Sequence, residues 1–510
     1  MRTCTTLRGE RRMAMTESVT VLPEPELEFG LGQTALSPHD GLSLFGPYDA
    51  ERPHHPASLS YGIVGTNDGI AAANQFFGAM RGPLRNDAAR ERLWPQFPGF
   101  EAAFGSALSP QPTFVAPIDL DELAVAARHA DRHRRTGAVV DVYMKALTAQ
   151  SERDERVQTA VCVVPDFVFQ NCRPESRVTD PIGERLTTSE RKAAKAGQVA
   201  LFDRVDPLVY QMSEDFRRQL KARVMALDLP VQLVRESTLV LNPAVDRGAR
   251  QLTPLSDRAW NLGVALYYKA GAKPWRIKTA RRGVCYVGLA YRKQGRGGDT
   301  ACCAAQLFVD SGDGVVFRGR FGPWWSEQRR EFHLSRDAAA ELLAGVLETY
   351  RANYSDPLEE IFLHCRSGLD SEEWGGFKSV APADARLVGV RVRVDNHLRM
   401  LRSGRMPVMR GTFWRVDSRR AYLWGSGYKP RLATYDGAEV PAPLGIEIQR
   451  GDADIHHVAA DIFGLTKLNY NACRLGESQP VTIKFSDAVG EILVSNAKIR
   501  DPKPHFRFYI

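Results

Sequence analysis

The stretch Val284-Cys-Tyr-Val-Gly-Leu-Ala-Tyr-Arg-Lys293 decides how this chain is read. It is apolar from Val284 to Tyr291 and reads as a strand. Downstream, Ala305-Gln-Leu-Phe-Val-Asp310 and Gly314-Val-Val-Phe-Arg-Gly319 predict a hairpin turning at Ser311-Gly-Asp-Gly314. An Ala-rich segment, 337–350, carries Leu342, Leu343, Val346 and Leu347 at helical spacing. The run Glu360-Ile-Phe-Leu-His-Cys365 is then another strand.

Working towards the N-terminus, the rhythm changes. Leu59-Ser-Tyr-Gly-Ile-Val-Gly-Thr66 reads as a strand, with Asn67 or Asp68 as the cap of the following helix. An amphipathic helix at 119–130, the strand Gln158-Thr-Ala-Val-Cys-Val-Val-Pro165, a polar loop at 171–190 and the strand Val231-Gln-Leu-Val-Arg-Glu-Ser-Thr-Leu239 follow. Strands alternating with helices imply a parallel α/β sheet, here Rossmann-like. Residues 1–50, rich in turn formers such as Pro23-Glu-Pro25 and Phe29-Gly-Leu-Gly32, predict an extended arm. The expected division is an arm at 1–50, a first α/β domain at 51–260 and a second domain at 261–510.

Composition bounds the class. The chain has 510 residues, 44% hydrophobic and 25% charged, enough for two or three globular domains. It lacks an apolar run long enough for a transmembrane helix. Met1-Arg-Thr-Cys-Thr-Thr-Leu-Arg-Gly-Glu-Arg-Arg12 has no apolar core of a secretory signal, and Met1, Met13 and Met15 are alternative starts. The eight cysteines form no CxxC pair, indicate no zinc site and are expected as reduced core thiols in a cytoplasm.

Net charge is +8, and its placement is uneven. Between Arg250 and Arg296 stand eleven bases against one acid, Asp257. The aromatics Tyr267, Tyr268, Trp275, Tyr286 and Tyr291 interleave with them. A solvated basic surface would give the same charge count, but aromatic interleaving favours contact with phosphates and bases. Lys273, Arg276, Lys278, Arg281 and Arg282 are therefore expected along a nucleic-acid channel, with Arg399, Arg402, Arg405, Arg410, Arg415, Arg419 and Arg420 as further lining.

Ser213-Glu-Asp-Phe-Arg-Arg-Gln-Leu-Lys-Ala-Arg223 predicts a helix capped by Ser213. Arg217 and Lys221 fall at i, i+4, so two like charges share a face at a cost of a few tenths of a kcal/mol unless an anion lies between them. Adding Gln232 on the next strand and Lys269 in Ala265-Leu-Tyr-Tyr-Lys-Ala-Gly271, the set resembles the 5′-phosphate pocket of Argonaute MID domains. Gly271-Ala-Lys-Pro-Trp275 resembles the MID–PIWI junction of prokaryotic Argonautes. The resemblance continues in Pro25-Glu-Leu-Glu-Phe-Gly30, Gly41-Leu-Ser-Leu-Phe-Gly-Pro47 and Leu465-Thr-Lys-Leu-Asn-Tyr-Asn471. With about fifty residues before the first MID-like strand, the chain is similar to the short prokaryotic Argonautes, which consist of MID and PIWI alone.

The resemblance implies a MID domain followed by a ribonuclease H-like PIWI domain. Arg217, Lys221, Gln232 and Lys269 would hold a guide 5′-phosphate, although many relatives carry Tyr or His where Arg217 stands. Gln232 and Ile510 would ligate a structural Mg2+ there. Active relatives end the first PIWI strand in Asp, where this chain has Ala290 after Gly288-Leu. They have Arg-Asp-Gly after the later strand, where this chain has Arg366-Ser-Gly368. Two-metal cleavage needs several converging carboxylates, and neither Ala290 nor Ser367 supplies one. Asp487, seven after Pro480, is the acid expected to survive, and Glu327 is a candidate for the glutamate finger.

The implied protein is no enzyme. It is a defence sensor against plasmids or phage: a small guide RNA recognises single-stranded target DNA, and an APAZ-domain effector (a TIR, SIR2 or nuclease fusion) acts in trans within a heterodimer. The alternatives are a guide-directed endonuclease with displaced carboxylates and a nucleic-acid-binding protein without guide specificity.

Overall fold

The computed structural model describes residues 19–86, 91–152, 156–184, 187–190, 209–210, 212–242, 252–279, 281–293, 301–309, 314–326, 328, 330–353, 357–435, 437–496 and 503–510. The alternative starts Met1, Met13 and Met15, the block's ends Arg250 and Arg296, the hairpin tip and Glu327 lie outside the described residues.

A four-stranded parallel sheet organises the first half. Its order is Phe114–Pro117, Tyr61–Gly65, Thr159–Val164 and Val231–Arg235. The two central strands are buried along their whole length, as expected when helices cover both faces. On one side Ile63, Val161 and Val163 join Phe76 and Phe77 of the helix Asn67–Met80 in one core. On the other, Val64, Cys162 and Val164 join Val139, Tyr143 and Leu220 from the helices Arg132–Ser151 and Phe216–Val224. This is the expected Rossmann-like α/β layering. The cap of the helix Asn67–Met80 is Thr66 rather than Asn67 or Asp68: its hydroxyl accepts from the Gly69 amide at 3.2 Å. The strand at 231 ends at Arg235, where Glu236–Thr238 turns into a 3-10 helix.

The second half is built on a nine-stranded sheet. The central strand Val284–Lys293 runs antiparallel to Ala301–Val309 and parallel to Glu360–Cys365. Ala301–Val309 pairs in turn with Gly314–Gly322, and Glu360–Cys365 with Arg386–Val394. The helix Arg336–Asn353 separates the hairpin from Glu360–Cys365, which gives the ribonuclease H order. Side chains alternate between the two faces of the central strand. Cys285, Val287, Leu289 and Tyr291 pack with Leu342, Leu343 and Val346 of the helix Arg336–Asn353. Gly288, Ala290 and Arg292 face the helix Val481–Leu493. That helix lies so close that a Cβ on Gly288 would stand 2.1 Å from the Thr482 carbonyl oxygen.

The described strands of the N-terminal arm pair with the second half, while its helix Pro38–Phe45 packs on Phe100–Phe104 of the first. Val19–Val21 pairs with Thr412–Arg415 at the sheet's edge, and Leu27–Glu28 sits between Thr34–Ala35 and Arg276–Ile277 in a small sheet. Four of the segments that carry the sequence resemblance meet here. The Lys467 ammonium, fully buried, donates to Glu24 at 2.9 Å, to the Pro25 carbonyl at 3.0 Å and to the Leu36 carbonyl at 2.6 Å. The Trp275 indole donates to the Lys467 carbonyl at 3.0 Å, and the Tyr470 hydroxyl to the Trp275 carbonyl at 2.8 Å. The Tyr48 amide, just after Pro47, donates to the Pro274 carbonyl at 2.9 Å. Burial pushes the Glu24 carboxyl up, but Arg410 and Lys467 outweigh it and hold the group below its ordinary value. The helix Leu255–Lys269 runs unbroken through the expected boundary at 260, carrying Trp260 and Tyr267 into the core between the halves.

Candidate nucleic-acid interface

The helix Phe216–Val224 begins at Asp215, whose carboxylate accepts from the Arg218 amide at 3.0 Å. Ser213 stands two residues ahead of the cap; its hydroxyl accepts from the Asp215 amide at 3.1 Å. The helical repeat sets Arg217 at the solvent-exposed end of one face and Lys221 at its buried end. The Lys221 ammonium donates to the Tyr509 carbonyl at 3.0 Å and to Ile510, so the buried C-terminal turn Phe506–Phe508 is held against this helix. Lys269 closes the helix Leu255–Lys269 at 0% exposure, and its ammonium has no hydrogen-bond partner. Gln232 lies on Val231–Arg235, against which that same helix packs. Its amide nitrogen donates to the Leu233 carbonyl at 3.1 Å, while its buried Oε1 has no partner.

These groups bear on one another electrostatically. Burial, with Arg217 and Lys269 adding repulsion, holds Lys221 well below the ordinary lysine range. Burial and then Arg217 bring Lys269 down to about 7. A buried ammonium without a partner, as at Lys269, is costly, and an anion placed beside it would recover much of that cost. The orphaned Gln232 Oε1 is a hard oxygen donor of the kind Mg2+ accepts, while the Ile510 oxygen is already taken by Lys221.

The structure also brings up a residue that sequence reasoning missed. Gly271 has φ +96°, and a Cβ there would stand 2.5 Å from an Arg507 guanidinium nitrogen. Arg507 Nε is buried and without a partner. The available signals were a glycine two residues past Lys269 and one base in an apolar tail.

The face of the central strand that carries Ala290 is occupied by ion pairs. Asp487, on the helix Val481–Leu493, receives Arg292 at 2.9 Å and Arg366 at 2.9 Å. Arg292 lies two residues beyond Ala290 and Arg366 one before Ser367, so both guanidinium groups flank the two altered positions. A Cβ built on Gly490 would be 3.7 Å from Ala290 Cβ and 3.0 Å from Arg292 Cγ, which leaves little depth on this face.

The basic block is less free than its charge count implies. Arg276 makes a forked pair with Glu28 at 3.0–3.1 Å, and Lys278 reaches the same carboxylate at 3.5 Å. Arg281 bridges Glu360 and Asp461, the latter at 2.7 Å. The Lys273 amide donates to Asp49 at 2.7 Å, and its ammonium lies 5.9 Å from the centre of the Tyr48 ring. Arg282 is exposed. In the later set, Arg410 is 4% exposed and bonded to Glu24, Thr466 and the carbonyls of Gly425 and Glu477, so it lines no channel. Arg399, Arg402, Arg405, Arg415, Arg419 and Arg420 are exposed. Local counting saw none of these acids because most lie far away in sequence.

No protein-family model and no curated protein matches the chain. Solved structures do. Over 97% of this chain, Clostridium butyricum Argonaute bound to a guide DNA and a 19-mer target DNA superposes with a TM-score of 0.63 at 13% identity. Aquifex aeolicus Argonaute superposes over 96% with a TM-score of 0.55 at 12% identity. A further Argonaute structure, described with externally bound siRNA, gives 0.56 over 97% at 12% identity. The chain spans 55–56% of the length of these proteins. Across nearly its whole length, this protein has the Argonaute fold.

Proposed function

We propose that this chain is a guide-binding, target-sensing protein whose ribonuclease H-like half does not cut. The observation that carries the reading is the cationic pocket of Arg217, Lys221 and Lys269 beside the orphaned Gln232 Oε1 and the buried Ile510. A guide 5′-phosphate is dianionic near neutral pH and offers the acceptor that the Lys269 ammonium lacks. Mg2+ held by Gln232 would add charge neutralisation. The guide, a small RNA, then displays bases to single-stranded target DNA; pairing supplies specificity, so exposed arginines need only touch backbone.

The reading of no cleavage rests on chemistry. Ala290 offers no ligand, Ser367 no anionic one, and Asp487 is engaged by Arg292 and Arg366. Two guanidinium groups already neutralise that carboxylate, which cleavage would need free for a cation. Output is therefore assigned to a second protein, an APAZ-domain effector with a TIR, SIR2 or nuclease module, forming a heterodimer in the cytoplasm for defence against plasmids or phage.

The test is to purify the protein with its partner and sequence the nucleic acid it retains. Short RNAs of narrow length with 5′-phosphates support the reading. Random cellular RNA would instead indicate unguided binding, and guided cleavage of target DNA with Mg2+ or Mn2+ would refute the claim that it does not cut.

A further inference from the structure

A second cluster stands on the opposite face of the sheet from Ala290. Tyr291, the next residue on the central strand, points the other way and its hydroxyl donates to Glu373. Glu373 lies in the first turn of the helix Ser371–Val380 and is 0% exposed. One carboxylate oxygen takes Tyr291 and the Leu334 amide, the latter at 3.4 Å; the other, Oε2, is buried with no hydrogen-bond partner. His333 Nδ1 faces that oxygen at 3.6 Å and Asp370 Oδ2 at 3.9 Å. Its Nε2 faces Glu331 Oε2 at 3.7 Å, and Glu331 is itself paired with Arg391 at 2.8 Å. Neither ring nitrogen of His333 makes a hydrogen bond, although both are buried.

We propose that His333, Asp370 and Glu373 bind a divalent first-row cation, with Zn2+ the best fit. Their ligand atoms lie within 4.8 Å of one another. For metal–ligand bonds of about 2.1 Å in a tetrahedron, neighbouring ligand atoms stand about 3.4 Å apart. The two spacings from His333, 3.6 and 3.9 Å, need only a few tenths of an ångström of contraction, and the two carboxylate oxygens, within 4.8 Å of each other, need at most about 1.4 Å. They are too long for hydrogen bonds, so direct contacts leave a buried carboxylate oxygen and a buried imidazole unsatisfied. One imidazole with two carboxylates suits Zn2+ or Mn2+ better than Ca2+ or Mg2+, which favour oxygen alone. Tyr291 supplies the outer hydrogen bond that orients Glu373. The site is half-buried, with Glu373 fully so, and lies on the wrong face to meet nucleic acid bound over Ala290, so its role is structural. The ion would staple the central strand, the segment before the helix Arg336–Asn353 and the start of Ser371–Val380.

The test uses the full chain without guide, dialysed against chelator and then titrated with Zn2+, Mn2+ and Mg2+. Metal content is read by mass spectrometry, and thermal midpoint and calorimetric affinity are measured alongside. The expected results are retention of Zn2+ near one per chain, a raised midpoint, and affinity weakened by more than about a hundredfold in H333Q, beyond the roughly ten- to hundredfold that loss of an outer hydrogen bond brings. Asp370 also caps its helix, accepting from the Glu373 amide at 2.9 Å, so D370N keeps the cap while removing the charged ligand. D370N should fold with the wild-type circular dichroism spectrum and bind Zn2+ more weakly. If the wild type retains none of the three metals and its midpoint does not move, His333 is a protonated counter-ion to these carboxylates and the proposal fails. Equal Zn2+ affinity in the wild type, H333Q and D370N would also overturn it.

Discussion

Replacing Lys269 with methionine keeps a long unbranched side chain in a fully buried position and removes an ammonium that has no partner. The ordinary lysine value of 10.5 falls to about 7 in the folded protein, first through burial and then through Arg217. Between those limits the unfolded chain binds more protons than the folded one, so stability rises with pH across the window and is lowest below it. At 1.36 kcal/mol per unit, Lys269 costs the empty protein at most about 5 kcal/mol at pH 7 or below. K269M should therefore raise the midpoint at pH 7 and flatten its rise towards pH 10. A bound phosphate dianion pulls the proton back, so wild-type affinity for 5′-phosphorylated RNA should fall between pH 7 and 9 with proton uptake visible as buffer-dependent calorimetric heat. Losing one charged hydrogen bond of about 1.5–3 kcal/mol should weaken that RNA roughly ten- to a hundredfold in K269M, leaving 5′-hydroxyl RNA unchanged. A variant that lost stability at pH 7 while keeping its preference for the 5′-phosphate would refute the argument.

Restoring acids alone should not restore cutting: A290D with S367D still leaves Arg292 and Arg366 on Asp487, and guided target cleavage with Mn2+ is the assay. Measurable cleavage by that double variant would disprove the role given to the arginines. E24Q should destabilise by about 3–5 kcal/mol, because Arg410 and Lys467 then remain buried with their carboxylate partner gone; an unshifted melting curve argues against it. G288A forces a methyl to 2.1 Å from the Thr482 carbonyl, and the helix Val481–Leu493 must shift at about 1–3 kcal/mol; hydrogen exchange along that helix should quicken.

Segments whose neighbours in sequence are also their neighbours in space were legible. The strands at 61–65, 159–164, 284–293 and 360–365 declare themselves because each is a continuous apolar run between turn formers. Arg217 and Lys221 are paired by the helical repeat alone. What could not be read was long-range charge balance: Glu28 waits about 250 positions from Arg276, and Glu24 lies far from Arg410. Capping was misread by one or two positions at Thr66 and Asp215, since Thr, Asn, Asp and Ser all cap well and only the local backbone decides among them. Within the arm, Val19–Val21 joins the edge of the second sheet, which could not be read because its partners Thr412–Arg415 give no local sign of a missing neighbour.

Glu24 and Lys467 are separated by 443 positions. Loop closure entropy grows only logarithmically, so that distance adds little to the equilibrium cost, about 0.6 kcal/mol for each doubling. Timing is affected far more. At about 5–20 residues per second, synthesis takes tens of seconds to move from the arm to Lys467. For that interval Leu27 and Phe29, 0% and 1% exposed once folded, are without their final cover. The junction is thus a late checkpoint: the arm locks down only after both halves of the chain exist to hold it.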